Sequence, residues 1–345
     1  MKLNIKKSPH LLYLDFIRVI AIIFVVIYHL VYHLNEFKFW PVAIYYINGI
    51  NLGEDIGVSL FIFLSGMVLT YQNKNSFWNL NSLKRFYVKR LLRIWPLYIL
   101  INTSVLAIFL IFGSQKLTFD PWGWSLTISG TGGYLSSFKV VNHWQYVGAW
   151  YLGFIIIMYL LFPALLSIYK KLRLKFIVIC LAISIISSLI LTGNNWFRFF
   201  TIRGMEFIWG IFFASLLQDN NNRTYLNIFL FSSLVFLIST FFPVNFPPIH
   251  IIKLLTIDLF FLSMAYLFCK KFSKKSSTAT LIVFSAQISY AVFLIHHVVI
   301  INFLKVYTDV DHQFIIPLTA SILLLIIILS WIMVKVENYL ILKKI

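Results

Sequence analysis

Apolar residues in this chain fall in long, nearly unbroken runs divided by short polar and basic connections, without the three-to-four spacing of a helix half-exposed to water. A helix that crosses a bilayer needs about 20 mostly apolar residues. Ten segments approach that length: Leu11–Leu34, Ile56–Tyr71, Ile94–Phe112, Gly148–Tyr169, Phe176–Thr192, Gly204–Leu217, Tyr225–Phe242, Ile251–Cys269, Leu281–Leu304 and Phe314–Lys335. The sixth is the shortest. The pattern predicts an all-α, polytopic membrane protein, with about ten transmembrane helices in one bundle. The first run follows Lys2, Lys6 and Lys7 as a signal peptide would. It nevertheless continues to Leu34, carries Asp15 and Arg18 and lacks a small-residue cleavage site, so it is read as a retained first span.

Composition narrows the function classes. Of 345 residues 60% are hydrophobic and 12% charged, too few charges for an ordinary soluble domain. The formal net charge of +18 would suggest a nucleic-acid partner in a soluble chain. Here the basic residues lie between apolar runs, where the positive-inside rule accounts for them, so no nucleic acid is expected. Placing the N-terminus in the cytoplasm puts the clusters at Lys84–Arg93, Lys170–Lys175 and Lys270–Lys275 inside, about three basic residues inside for each one outside. Both termini are therefore expected in the cytoplasm, and the protein in the cell membrane as a multi-pass chain. Cys180 and Cys269 sit in apolar stretches and indicate neither a disulfide framework nor a zinc site. The longest connection, 113–147, is rich in Gly and Trp and is expected outside, as a re-entrant substrate loop or an interfacial cap.

Ionisable side chains inside a span are costly unless they face protein or water, so each is a functional candidate. Asp15 and Arg18 are three apart and can pair on one helical face. Arg18 and His29 are eleven apart, which returns the helix to within about 20° of its starting azimuth and separates them by about 16 Å. They are expected to line one cavity from its inner end outward; a buried pair that locks the bundle, with His29 bonded to a neighbouring helix, remains the alternative. His29 and His33 have the i, i+4 spacing of metal ligands but lack the carboxylate of an HExxH motif, so no metal is expected. Gly57 and Gly66 admit a close neighbour, and Ser59 and Ser65 add hydroxyls. Arg90 and Arg93 share a face of a helix entering from the cytoplasm, where guanidinium forks suit phosphates; anchoring against anionic lipid explains them equally. Arg203 and Glu206 can pair, Asp258 is isolated in the eighth span, and His296-His297 lie in the ninth. No GxSxG, P-loop or Rossmann fingerprint occurs.

Several of these segments together resemble one family, the integral-membrane acyltransferases called acyltransferase 3. Leu14-Asp15-Phe16-Ile17-Arg18 through Tyr28-His29 is similar to its Arg-x10-His first-helix motif, Gly57-Val58 through Ser65-Gly66 to its second-helix pattern, and Arg90-x-x-Arg93-Ile-Trp-Pro-Leu-Tyr98 to its third signature. Trp150-Tyr151-Leu152 with Pro163, Arg203-x-x-Glu206, and Ile288-Ser289-Tyr290 through His296 follow in order. One branch of the family carries a Glu five or six residues after the Trp, where this chain has Ile155 and Ile156. The resemblance implies one transmembrane acyltransferase domain over 1–345, with no separate soluble domain. It implies O-acyl transfer, usually acetyl, from cytosolic acyl-CoA (acetyl-CoA) to a hydroxyl of an envelope carbohydrate. His29 would be general base or transient acyl carrier, and Arg18 would orient the donor or stabilise charge on the thioester oxygen. Arg90 and Arg93 would hold the CoA phosphates, and Ser65 would touch the pantetheine or acyl group. Export of a glycan or lipid-linked intermediate is the competing function.

Overall fold

A computed structural model describes residues 11–37, 39, 46–47, 50–73, 79–112, 120–138, 143–191, 198–216, 222–239, 247–273, 276–307 and 314–342. Among the described residues a helix lies over each of the ten expected segments. In chain order they are α1 (Leu12–Glu36), α2 (Val58–Asn73), α3 (Leu80–Ile111), α6 (Ala149–Leu172), α7 (Leu174–Ile190), α8 (Phe200–Leu216), α9 (Asn222–Ser239), α10 (Pro247–Cys269), α11 (Ser277–Val306) and α12 (Ile315–Leu342). Two short helices, α4 (Pro121–Ser129) and α5 (Gly132–Ser136), lie in the long connection. A two-residue antiparallel pair, β1 (Tyr46–Ile47) and β2 (Ile50–Asn51), precedes a π-helical turn over Leu52–Gly57 that leads into α2.

Among the described residues seven helices are long and apolar enough to cross a membrane: α1, α2 taken together with the π-helical turn from Asp55, α3, α6, α10, α11 and α12. Over their described residues α7 to α9 do not meet that measure. At 17 residues each, α7 and α8 run about 26 Å, short of a hydrocarbon core of about 30 Å. Asn222, Arg223 and Thr224 open α9 and Asn227 follows, which lowers the mean apolarity of its 18 residues. For α8 the shortfall matters little, because nearly every described side chain on it is buried in protein.

The bundle is held by helix pairs whose surfaces the sequence prepares. At the crossing of α2 and α8, a Cβ on Gly66 would collide with the Phe207 carbonyl, and one on Gly210 with the Phe63 carbonyl. Gly57 does the same service against α1, where a Cβ would stand 2.7 Å from Val25 and 2.8 Å from the Ala21 carbonyl. Without a hydrophobic force between helices in lipid, such close backbone approach supplies the packing. Gly66→Ala is accordingly expected to cost about 1–3 kcal/mol through overpacking, read as a lowered Tm of the detergent-solubilised protein.

The third helix begins well before its expected span. A reciprocal capping box, in which Ser82 N–H donates to Asn79 Oδ1 and Asn79 N–H to Ser82 Oγ, starts it at Leu80. Its 32 residues amount to about 48 Å, so its first turns, which carry Lys84 to Arg93, extend past a hydrocarbon core. Against its first apolar turns lies the described part of the long connection. Tyr98 and Trp95 donate to the Thr127 and Ile128 carbonyls at 2.5 Å each, and the Asn102 amide donates to the Trp144 carbonyl at 3.2 Å while accepting from Tyr146 N–H at 2.9 Å. The connection thus packs between α3 and α6, where protein groups satisfy its non-helical backbone.

Candidate functional site

One end of the bundle holds a cavity of about 610 Å³. Its wall includes Asp15 and Arg18 from the start of α1, Ser65 from α2, Arg90 and Arg93 from α3, Tyr151 and Tyr159 from α6, Tyr290 from α11 and Glu337 from α12. Arg18 Nη1 donates to Asp15 Oδ1 at 2.7 Å, so one guanidinium is fixed by the carboxylate three residues earlier. Arg90 reaches Gln72 Oε1 at 3.5 Å and lies over the Phe86 ring at 5.8 Å. Arg93 forms no salt bridge among the described residues. With Asp15 spent on Arg18, the wall keeps two arginines against Glu337, a net positive surface for an anionic ligand. Ser65 spends its proton on the Phe61 carbonyl at 2.8 Å and accepts from the Tyr159 hydroxyl at 3.4 Å.

The far end of the cavity is closed by three rings. Phe61, Tyr151 and Phe293 all line it and touch one another, with centroids 5.1 to 6.4 Å apart. Behind them Phe293 meets His296 at 6.0 Å. His296 belongs to a cluster of four imidazoles built by α1 and α11, which pack side by side. The His29 ring lies 5.1 Å from His296, 4.8 Å from His297 and 6.3 Å from His33. His33 Nε2 is 3.2 Å from His297 Nε2, and His33 Nδ1 is 2.6 Å from Glu36 Oε2. The Glu36 side chain is 54% exposed, so the cluster reaches solvent at the end of α1 remote from Arg18.

A second polar group is buried where the π-helical turn, α8 and α10 meet. Arg203, fully buried, lies 3.2 Å from Glu206 Oε1 and 3.8 Å from Asp55 Oδ1, and His250 Nε2 lies 3.2 Å from that Asp55 oxygen. Deeper in α10, Asp258 accepts from the Ser59 hydroxyl at 3.0 Å. The Arg203–Glu206 pair read from the sequence is present, and Asp258, isolated in its own span, meets Ser59 from α2. Arg203 in α8 and Lys253 in α10 have no exposed surface.

A family model described as an acyltransferase domain matches residues 11–335. The chain belongs to the acyltransferase 3 family. With its apolar helices, that makes it a membrane acyltransferase. No curated protein and no solved structure matches the chain.

Four residues singled out in this acyltransferase from the sequence, Arg18, Ser65, Arg90 and Arg93, share the wall of one cavity although they come from three helices. His29 does not line it. Phe61, Tyr151 and Phe293 stand between the cavity and the histidine cluster, so Arg18 and His29 are not neighbours across one cavity. Asp55 and His250 were not anticipated, because both lie next to span ends where a charge is unremarkable. His297 was visible as half of a His-His pair, but nothing local tied it to His33, which is 264 residues away. Of the basic residues named from the sequence, Lys2, Lys6, Lys7, Lys274 and Lys275 lie outside the described residues.

Proposed function

We propose that this acyltransferase moves an acyl group, most simply acetyl, from acyl-CoA at the arginine cavity to a carbohydrate hydroxyl presented at the opposite end, near His29. The observation that carries the reading is the division of labour along α1. Arg18, Arg90 and Arg93 gather at one end, whereas four imidazoles gather at the other. Guanidiniums bind phosphates bidentately; imidazole exchanges protons near neutral pH. The thioester arm passes the layer of Phe61, Tyr151 and Phe293 while the nucleotide stays on the arginines. His29 accepts the acceptor's hydroxyl proton as its oxygen attacks the thioester carbon. The C–S bond breaks, an ester C–O bond forms, and the proton ends on the CoA sulfur. Arg18 stands about 16 Å of helix from His29, too far to serve the same carbonyl, so its role is donor binding. The orientation follows the excess of basic residues, which puts the arginine end in the cytoplasm.

Arg90→Ala and Arg93→Ala are each expected to weaken CoA-thioester binding by about 1.5–3 kcal/mol, the value of a charge-assisted hydrogen bond. A truncated donor without the nucleotide should be affected far less; equal losses with both donors would assign the arginines to lipid anchoring. The reading as a whole is tested in oriented proteoliposomes. Acyl-CoA supplied on the arginine side should acylate a glycan supplied only on the other. Acylation only when both share one compartment would refute transfer across the membrane. If a deletion strain keeps its surface glycans but loses base-labile esters, transfer stands; loss of the glycans altogether would favour export.

A further inference from the structure

We propose that His29, His33 and His297 form a binding site for a divalent transition-metal ion of the zinc class, at the end of the bundle opposite the arginine cavity. Each supplies one imidazole nitrogen, and the three ligating atoms lie within 4.8 Å of one another. Imidazoles of this kind select zinc, copper or nickel over calcium or magnesium, which prefer oxygen. Two nitrogens that each stand 2.0–2.1 Å from a tetrahedral ion are about 3.3 Å apart. His33 Nε2 and His297 Nε2 are 3.2 Å apart, already at that spacing.

The surroundings of His33 supply the second argument. Ligating histidines characteristically donate their other ring N–H to a carboxylate, which fixes the tautomer and leaves the ligating lone pair free. Glu36 Oε2, 2.6 Å from His33 Nδ1, stands in that position, and its exposed side chain marks a route in from solvent. The third nitrogen must move: closing the widest separation to tetrahedral spacing takes about 1.5 Å. His29 is only partly buried and its ring is not hydrogen-bonded among the described residues, so it is the ligand least tied in place. His296 is held back from the set because its Nδ1 faces the Val292 and Phe293 carbonyls at 3.1 and 2.8 Å. Its Nε2 is buried without a hydrogen-bond partner beside the His29 ring, a polar atom that a water on the ion's open fourth position would satisfy.

A ligated nitrogen has no lone pair for a proton, so the loaded site and a proton-accepting His29 exclude each other. The ion would hold α1 to α11 and silence transfer. This consequence rests on the proposed reaction, but binding itself does not, since it is measured without donor or acceptor.

The full-length protein in detergent, titrated with Zn²⁺ against a chromophoric chelator, should bind one equivalent and show a raised Tm. His33→Ala and His297→Ala should each weaken binding more than 100-fold. Glu36→Gln should weaken it about 10–100-fold as an outer-shell loss. His33→Cys should retain it, since a thiolate also ligates zinc, and so keeps the test open if an alanine variant fails to fold. Failure of the parent protein to take up Zn²⁺ would overturn the proposal, as would equal uptake by the parent, Glu36→Gln and the alanine variants. If Zn²⁺ binds as described yet transfer is unaffected at saturation, the site stands and His29 is not the base.

Discussion

His29→Ala is expected to slow acyl transfer by about 10²–10⁴, the usual cost of losing a positioned general base, while leaving the amount of protein in the membrane unchanged. The loss should fall on kcat, with donor binding preserved, because His29 is absent from the cavity wall that holds Arg18, Arg90 and Arg93. The split is informative. A residue that merely braced α1 against α11 would, when removed, lower Tm and affect both constants together. Activity within a few-fold of the parent would assign His29 to packing or to metal binding alone. Arg18→Lys should show the converse pattern, with a raised KM for the donor, since a point charge cannot reproduce the forked donor that Asp15 orients at 2.7 Å.

The second large effect concerns stability. Arg203→Met is expected to destabilise the protein by about 3–5 kcal/mol, because removing one member of a buried ionic group strands the others. Those others are Glu206 and Asp55, within 3.2 and 3.8 Å of the guanidinium, both nearly inaccessible. Neutralising one carboxylate in the same background, as Arg203→Met with Glu206→Gln, should recover part of the loss; the non-additivity measures their coupling. Thermal unfolding in detergent reads both variants. An Arg203→Met protein as stable as its parent would show that the carboxylates find other partners.

Hydropathy alone located every helix of the bundle, because a run of apolar residues is a one-dimensional signal. Over the described residues α7 and α8 stay shorter than a hydrocarbon core, so seven helices rather than ten meet the length and apolarity of a span there. The start of α3 was missed: Lys84 to Arg93 interrupt the apolar run, yet the Asn79–Ser82 capping box begins the helix all the same. The arginine cavity was legible because each of its positions lies in a local motif, Arg18 in the first helix, Ser65 in the second, Arg90 and Arg93 before the third. The histidine cluster was only half legible. The i, i+4 pair on α1 is a local pattern, but its completion by His297 depends on α11 packing alongside, and the supporting carboxylate follows His33 by three residues rather than standing between the histidines. Asp55 illustrates a further blind spot, since a π-helical turn places it over α8 in a way that no periodicity encodes.

The layer formed by Phe61, Tyr151 and Phe293 has an electrical consequence. In the proposed orientation the arginine cavity brings the cytoplasmic solution as far as this layer, so the transmembrane voltage falls across the rings and the protein beyond them rather than over the whole thickness of the bilayer. A charge carried across the full potential changes in energy by about 2.3 kcal/mol per 100 mV, and a cell interior that is negative drives anions outward. The proposed donor, a coenzyme bearing several phosphates, would therefore be under a steep pull toward the exterior at this point, whereas an uncharged acyl group would feel none. On the proposed reaction, a layer of aromatic rings between the arginine cavity and the histidines passes the cargo that is indifferent to the field and retains the carrier that is not.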